Sequence, residues 1–430
     1  MTRTPSIGRR IRRLGVVTSI AGLVLGGALV TAGPASAATT CAPTWSASTA
    51  YSGGASVSTG STNYTANWWT QGDDPATHSG ATGSGQPWTS AGSCTPASTG
   101  GGGTGGGTGG GTGTGATTGT LFSPYKDVTV NLNWNTNVMQ TAITGSTIPV
   151  AGGSNSLATK VPKLRALSLA FATGTCGSEN WGGVAGDAFA KANVPALDAA
   201  GVDYVVSTGG AAGSFKCTSG AAMNAFIARY ASPHLVGIDF DIESGQSAAD
   251  IRSLVSSAAA AQAQYPKLRF SFTLATLAAS NGSFAGLNST GDTTVTAIKA
   301  SGLTNYTINL MTMDFGGASS AVCVVTNGAC DMGASTVQAV KNLQHTYGTP
   351  SNKIEVTPMI GVNDVVSNVF TLADVDTVSA YARANALAGV HYWSLDRDTP
   401  CAQSTASATC SSRPDAALSY TNRFLTALGK

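Results

Sequence analysis

From residue 121 onward, short apolar runs alternate with longer stretches whose apolar side chains recur every three or four positions. The short runs predict strands at 128–134, 164–172, 202–208, 235–243, 268–276, 306–314, 353–360 and 390–396. The periodic stretches predict helices at 186–199, 219–230, 247–264, 333–346, 371–387 and 413–428. Several runs, such as Tyr204-Val205-Val206 and Leu310-Met311, are apolar at consecutive positions. Parallel strands covered on both faces have that pattern. Eight β/α units over 121–430 predict an α/β fold, a closed (β/α)8 TIM barrel. An open doubly wound sheet is the alternative, but no Gly-rich phosphate fingerprint follows the first strand.

Upstream the pattern changes. Residues 95–120 are almost wholly Gly, Thr, Ala and Ser, a linker with nothing to bury. Residues 40–94 are rich in aromatics, Trp45, Tyr51, Tyr64, Trp68, Trp69 and Trp88, with turn residues between them. They predict a small all-β module. Trp68 and Trp69 are adjacent, and neighbours on a strand face opposite sides, so at least one should be exposed unless both faces are covered. Exposed rings stack on the apolar faces of sugars. The first 37 residues carry Arg3, Arg9, Arg10, Arg12 and Arg13, an apolar stretch from about Leu14 to Ala32, and Pro34-Ala35-Ser36-Ala37. This predicts a cleaved export signal at 1–37, with a permanent membrane anchor as the alternative.

Composition narrows the class further. Charged residues are only 10% of the 430, against 42% hydrophobic, enough for a large core. Five of the 23 basic residues and none of the 21 acids fall in the first 37 positions, so the remainder is near −3. No basic run survives to hold nucleic acid. Eight cysteines fit an oxidising compartment. Sequence does not fix their pairing; the sequential set Cys41–Cys94, Cys176–Cys217, Cys323–Cys330 and Cys401–Cys410 is the expectation. They lack the C-x-x-C spacing and clustered histidines of a metal site. His78, His234, His345 and His391 show no ligand spacing either.

The run Leu235 to Ser244 carries the candidate chemistry. Asp239, Asp241 and Glu243 alternate with Ile238, Phe240 and Ile242. Side chains alternate faces along a strand, so the three acids share one face, about 6.6 Å apart from one to the next. Inside a barrel they cannot all ionise, and at least one pKa should rise. That keeps a carboxylic acid protonated near neutral pH, and Glu243, at the strand's carboxyl end, is best placed to donate to a substrate. A solvent-facing edge strand and a Mg²⁺ or Ca²⁺ site are the alternative readings.

Gly237-Ile238-Asp239-Phe240-Asp241-Ile242-Glu243 resembles the D-G-x-D-x-D-x-E motif of family 18 glycoside hydrolases, the chitinases. Ser207-Thr208-Gly209-Gly210 is similar to that family's S-x-G-G, Met311-Thr312-Met313-Asp314 to its M-x-Y-D, and Trp393 to its eighth-strand tryptophan. The chain departs from the family at Val236, where the motif has Asp, and at Met313, where it has Tyr. The stretches around Trp45, Asn63 to Gly72 and Trp88 resemble chitin-binding modules of families 5/12. The resemblance implies a secreted, monomeric chitinase without cofactor or metal, acting on chitin and chitooligosaccharides, with no membrane attachment after signal cleavage. It implies substrate-assisted retaining hydrolysis in which Glu243 is the acid, Asp241 orients the 2-acetamido group and Asp239 supports Asp241. Asp314, Trp393, Met311, Ser207, Gly209 and Gly210 would contact substrate in the barrel, and Trp45, Tyr64, Trp68 and Trp69 would hold chitin. An endo-β-N-acetylglucosaminidase acting on N-glycans and an inactive chitin-binding lectin are the alternatives.

Overall fold

The computed structural model describes residues 39–430 except 48, 52–54, 68–69, 81–85, 96–118 and 244. The expected signal at 1–37, nearly all of the linker, Trp68 and Trp69 lie outside the described residues. The chain divides into two compact units, Met1–Gly107 and Thr108–Lys430.

In the first unit a four-stranded sheet runs in the order Thr39–Thr40, Trp88–Thr95, Thr62–Ala66, Ser56–Thr59. Val57, Ala66 and Trp88 form its buried core. Trp45, Tyr51 and Tyr64 are half-buried and pack on that core. The Trp88 indole donates to the Asp73 carbonyl at 2.9 Å, as a buried indole requires. A Cys41–Cys94 disulfide ties the start of the unit to its last strand, a staple suited to so small a core.

The second unit is a ring of parallel strands. Strand β1 has two pieces, Leu121–Phe122 and Tyr125–Asp127. The others are β2 Ala166–Ala172, β3 Asp203–Gly209, β4 Leu235–Asp241, β5 Arg269–Ala275, β6 Tyr306–Met311, β7 Ile354–Thr357 and β8 Gly389–Val390. Each pairs with the next in parallel. The first piece of β1 pairs with β8 and the second with β2. Ser123-Pro124 joins the two pieces, so one strand closes the barrel from both sides. A helix follows every strand: α1 Leu157–Lys160, α2 Gly186–Ala199, α3 Gly220–Arg229, α4 Ala248–Gln262, α5 Ser289–Ser301, α6 Met332–Tyr347, α7 Leu372–Ala384 and α8 Ser419–Leu428.

Two expectations are corrected. The first strand is not at 128–134: the Asp127 carboxylate accepts from the Thr129 backbone N–H at 3.0 Å and its hydroxyl at 2.7 Å, and turns the chain there. The last strand stops at Val390, well short of 396, and Leu395–Arg397 is a 3₁₀ turn.

The barrel interior is layered. At the bottom lie Leu121, Ala166, Val205 and Val236. Val236 reaches this layer because the β3–β4 register slips between Tyr204 and Val205, leaving it as an extra residue. Above it Glu355 meets Arg269 at 2.6 Å and His391 at 3.3 Å. Burial opposes the charge of Glu355, but Arg269 and His391 outweigh it and hold the carboxyl below its usual range. A cavity of about 900 Å³ opens at the bottom end among Lys267, Arg269, Lys353 and Arg383. The acids of β4 stand at the opposite end, where barrel chemistry is done.

Candidate active site

Ile238, Phe240 and Ile242 are buried in the main core outside the strand ring. Asp239 and Asp241 therefore point inward, and both are buried. Asp239 is surrounded by hydroxyls. Its Oδ2 accepts from Tyr125 at 2.9 Å and Ser207 at 2.6 Å, and its Oδ1 from Ser271 and Thr273, both at 2.7 Å. Burial raises its pKa, and these bonds oppose the rise. The Asn309 amide fixes two of the neighbours, donating to Tyr125 at 3.0 Å and Thr273 at 2.8 Å.

Asp241 is held differently. Its Oδ1 is buried and has no hydrogen-bond partner within the protein. Its pKa stands well above the usual value, through burial first and then the charges of Glu243 and Asp239. Glu243 is half-buried. Burial raises its pKa and the Asp314 charge adds to this, against a hydrogen bond from the Ala211 N–H. The stripe thus grades from a fully bonded acid, through an orphaned one, to one that reaches open space.

That space is a cleft of about 290 Å³ lined from all around the ring: Tyr125 from β1, Phe171 from β2, Ala211 beyond β3, Asp241 from β4 and Glu243 beyond it, Thr273 from β5, Met311 from β6 with Met313 and Asp314 beyond it, Thr357 from β7 with Met359 and Asp364 beyond it, and Trp393 beyond β8. Trp393 stacks on Phe171 with ring centroids 5.5 Å apart, making an aromatic floor. The Asp314 carboxylate accepts from the Val365 N–H at 2.7 Å and so fastens the β7–α7 loop to the rim.

Met311, Asp314 and Trp393, expected from the sequence, line this cleft beside Asp241 and Glu243. Ser207, Gly209 and Gly210 do not: they are buried behind the acids. Ser207 bonds Asp239. Gly209 has φ +87°, and a Cβ there would sit 2.1 Å from the Asp241 carbonyl oxygen. At Gly210, with φ +81°, a Cβ would meet the Phe171 ring at 2.8 Å. The glycines are needed for close approach and positive φ, and they set where Asp241 and Phe171 stand. Tyr125, Phe171, Ala211, Thr273, Thr357, Met359 and Asp364 were missed. Tyr125 was hidden because the first strand was placed too late in the chain. The inward alternation of β5 and β7 was signal enough for Thr273 and Thr357.

Four disulfides join Cys41–Cys94, Cys176–Cys217, Cys323–Cys330 and Cys401–Cys410. The second ties the loop after β2 to the loop after β3. Among the described residues no group of three or more His, Cys, Asp or Glu is placed to hold a metal. None of their helices is long and apolar enough to cross a membrane.

No family model matches the chain. A stretch of 126 residues, 27% of this chain, is 35% identical to 14% of the probable bifunctional chitinase/lysozyme of Escherichia coli (strain K12). Another match, over 128 residues, is 34% identical to 24% of Endochitinase 11 of Metarhizium anisopliae. The chain thus spans a quarter or less of the length of these curated relatives. Among solved structures, the catalytic domain of the hyperthermophilic chitinase from Pyrococcus furiosus superposes with a TM-score of 0.55 at 21% identity, over 72% of this chain and 95% of that one. Catalytic-site mutants of active domain 2 of a thermostable chitinase from the same organism, complexed with chito-oligosaccharides, give 0.55 at 20% identity with the same coverage. At this identity the likeness shows the barrel fold.

Proposed function

We propose that this chain is a secreted chitinase that hydrolyses β-1,4 linkages between N-acetylglucosamine units by substrate-assisted retention. One observation carries the reading: Asp241 and Glu243, both with raised pKa, share one cleft with an aromatic floor at the carboxyl end of the barrel. A protonated Glu243 transfers its proton to the glycosidic oxygen while the C1–oxygen bond breaks. The oxygen of the substrate's own 2-acetamido group forms the new bond to C1 from the opposite face. Asp241 holds the acetamido N–H through the oxygen that has no partner within the protein, and stabilises the positive oxazolinium. Asp239, held by four hydroxyls, supports Asp241 from below. Glu243, now a carboxylate, takes a proton from water as that water attacks C1, the bond from C1 to the acyl oxygen breaks and restores the acetamido group, and the anomeric configuration is retained. Asp314 holds the rim, and Trp393 lies under the sugar.

The test is Glu243→Gln. It should leave the fold intact and lower turnover of chitohexaose by about 10²–10⁴-fold, the usual contribution of a general acid. Substantial residual activity would remove Glu243 from the role of acid. Release of the α-anomer would exclude retention, and faster cleavage of an N-glycan than of chitohexaose would favour the endo-β-N-acetylglucosaminidase.

The resemblance at 40–94 supports a chitin-binding role for the first unit, with Trp68 and Trp69 as platforms and 95–120 as the tether, and the leader at 1–37 supports export. Tyr64 and Trp45, being half-buried on the core, contribute at most an edge to that platform. Trp68→Ala is expected to weaken retention on insoluble chitin several-fold, since a stacked ring is worth about 1–3 kcal/mol. Turnover of soluble oligomers should stay unchanged; an equal loss in both assays would make the residue structural.

A further inference from the structure

One wall of the cleft plays no part in the chemistry above. Met311 and Met313 stand at the end of β6, and Met359 lies just beyond β7, where it bridges to Trp393. The hydroxyls that share the cleft are already committed as donors. Tyr125 donates to Asp239 at 2.9 Å, Thr273 to Asp239 at 2.7 Å and Thr357 to Asn309 at 2.8 Å. In the proposed mechanism Asp241 accepts the acyl N–H and the proton of Glu243 goes to the leaving oxygen, so neither carboxyl donates to the acyl chain. An acyl group whose N–H is held by Asp241 therefore turns its carbon chain toward thioether and hydrocarbon, with no free O–H on that side to fix its length.

Methionine is unbranched, has three rotatable side-chain bonds and re-packs around irregular shapes. We propose that this methionine wall makes the site tolerant of the length of the acyl chain on the 2-nitrogen, so that N-propionylglucosamine units are substrates alongside N-acetylglucosamine units. The inference rests on the proposed function, in which the acyl oxygen is the nucleophile. An added methylene leaves that step unchanged: the same carbonyl oxygen bonds to C1, the same C1–oxygen bond breaks, and Glu243 still supplies the proton to the leaving oxygen. A well-shaped pocket discriminates by about 10–200-fold per methylene. A wall that yields should discriminate less.

The experiment uses the full chain and 4-nitrophenyl chitobiosides whose reducing-end unit carries an N-acetyl group, an N-propionyl group or a free amine. The expected ratio of kcat/KM for N-acetyl over N-propionyl is below about tenfold, under the range for a well-shaped pocket. A ratio above that overturns the inference and leaves the hydrolase reading standing. No cleavage of the N-acetyl compound, or equal cleavage of the free amine, removes the assisted mechanism and this inference with it. Met313→Phe puts a rigid ring into the wall and should raise the ratio by at least about threefold, a modest part of what one methylene can be worth. A smaller change takes Met313 out of the wall.

Discussion

Two aspartates two positions apart on β4 meet opposite fates. Asp239 has four hydroxyl donors, whereas Asp241 keeps a buried oxygen without one. A buried charge without partners is costly, so Asp241 opposes stability in order to be available to a ligand. Its folded pKa is raised, chiefly by burial. The penalty is therefore absent below the unfolded value near pH 4 and fully present above the folded one. Asp241→Asn should abolish most turnover and yet raise the stability of the protein at pH 7. The gain should shrink to nothing by about pH 3, where the native acid is itself protonated. Melting temperatures of both forms at the two pH values check this; an equal gain at both would mean that charge is not its cause. The acid stripe was legible because a period of two survives any uncertainty about strand ends. The hydroxyls around Asp239 were not, since Ser207, Ser271, Thr273 and Tyr125 come from three other strands and only the closed ring brings them together.

At the scale of elements, one carboxylate serves two helices. Asp374 accepts from the Thr371 N–H and hydroxyl, both at 2.7 Å, which completes the capping box of α7. Its other oxygen accepts from the Gly333 N–H at 2.8 Å, in the first turn of α6. The two backbone bonds satisfy helix-end donors that would otherwise lack a partner. Asp374→Ala should cost about 1–3 kcal/mol, more than a single cap. Denaturant unfolding measures it, and a loss under about 0.5 kcal/mol would mean that water replaces both bonds. Helices with plain 3.6-residue periodicity were readable, α2 to its end residues. Helix α5 was not. Its Ser289–Ser301 run holds four Thr, one Val and one Ile, residues of modest helix propensity. The Thr293 and Thr294 hydroxyls bond back to the carbonyls of Ser289 and Thr290 at 2.8 and 2.9 Å. Burial of Val295 and Ile298 completes the helix, a tertiary effect that local pattern does not carry.

For the whole molecule, the number of β/α units predicted the barrel, since eight of them leave few other ways to cover both faces of the strands. What the count could not reveal is how the ring is sealed. Tyr125 sits at that seam: its N–H donates to the Tyr392 carbonyl at 3.0 Å, its residue pairs with Ser168 on β2, and its hydroxyl reaches across to Asp239. The first and last segments of the barrel must therefore meet before Asp239 acquires its full set of bonds. Recovery of activity on refolding should coincide with the slowest gain of native structure and never run ahead of it. Turnover that returned before the fluorescence and circular dichroism of the barrel were complete would show that the array assembles without its keystone. If the proposed function holds, a nascent or proteolytically opened form of this protein is silent, because joining the two ends of the barrel is also what arms it.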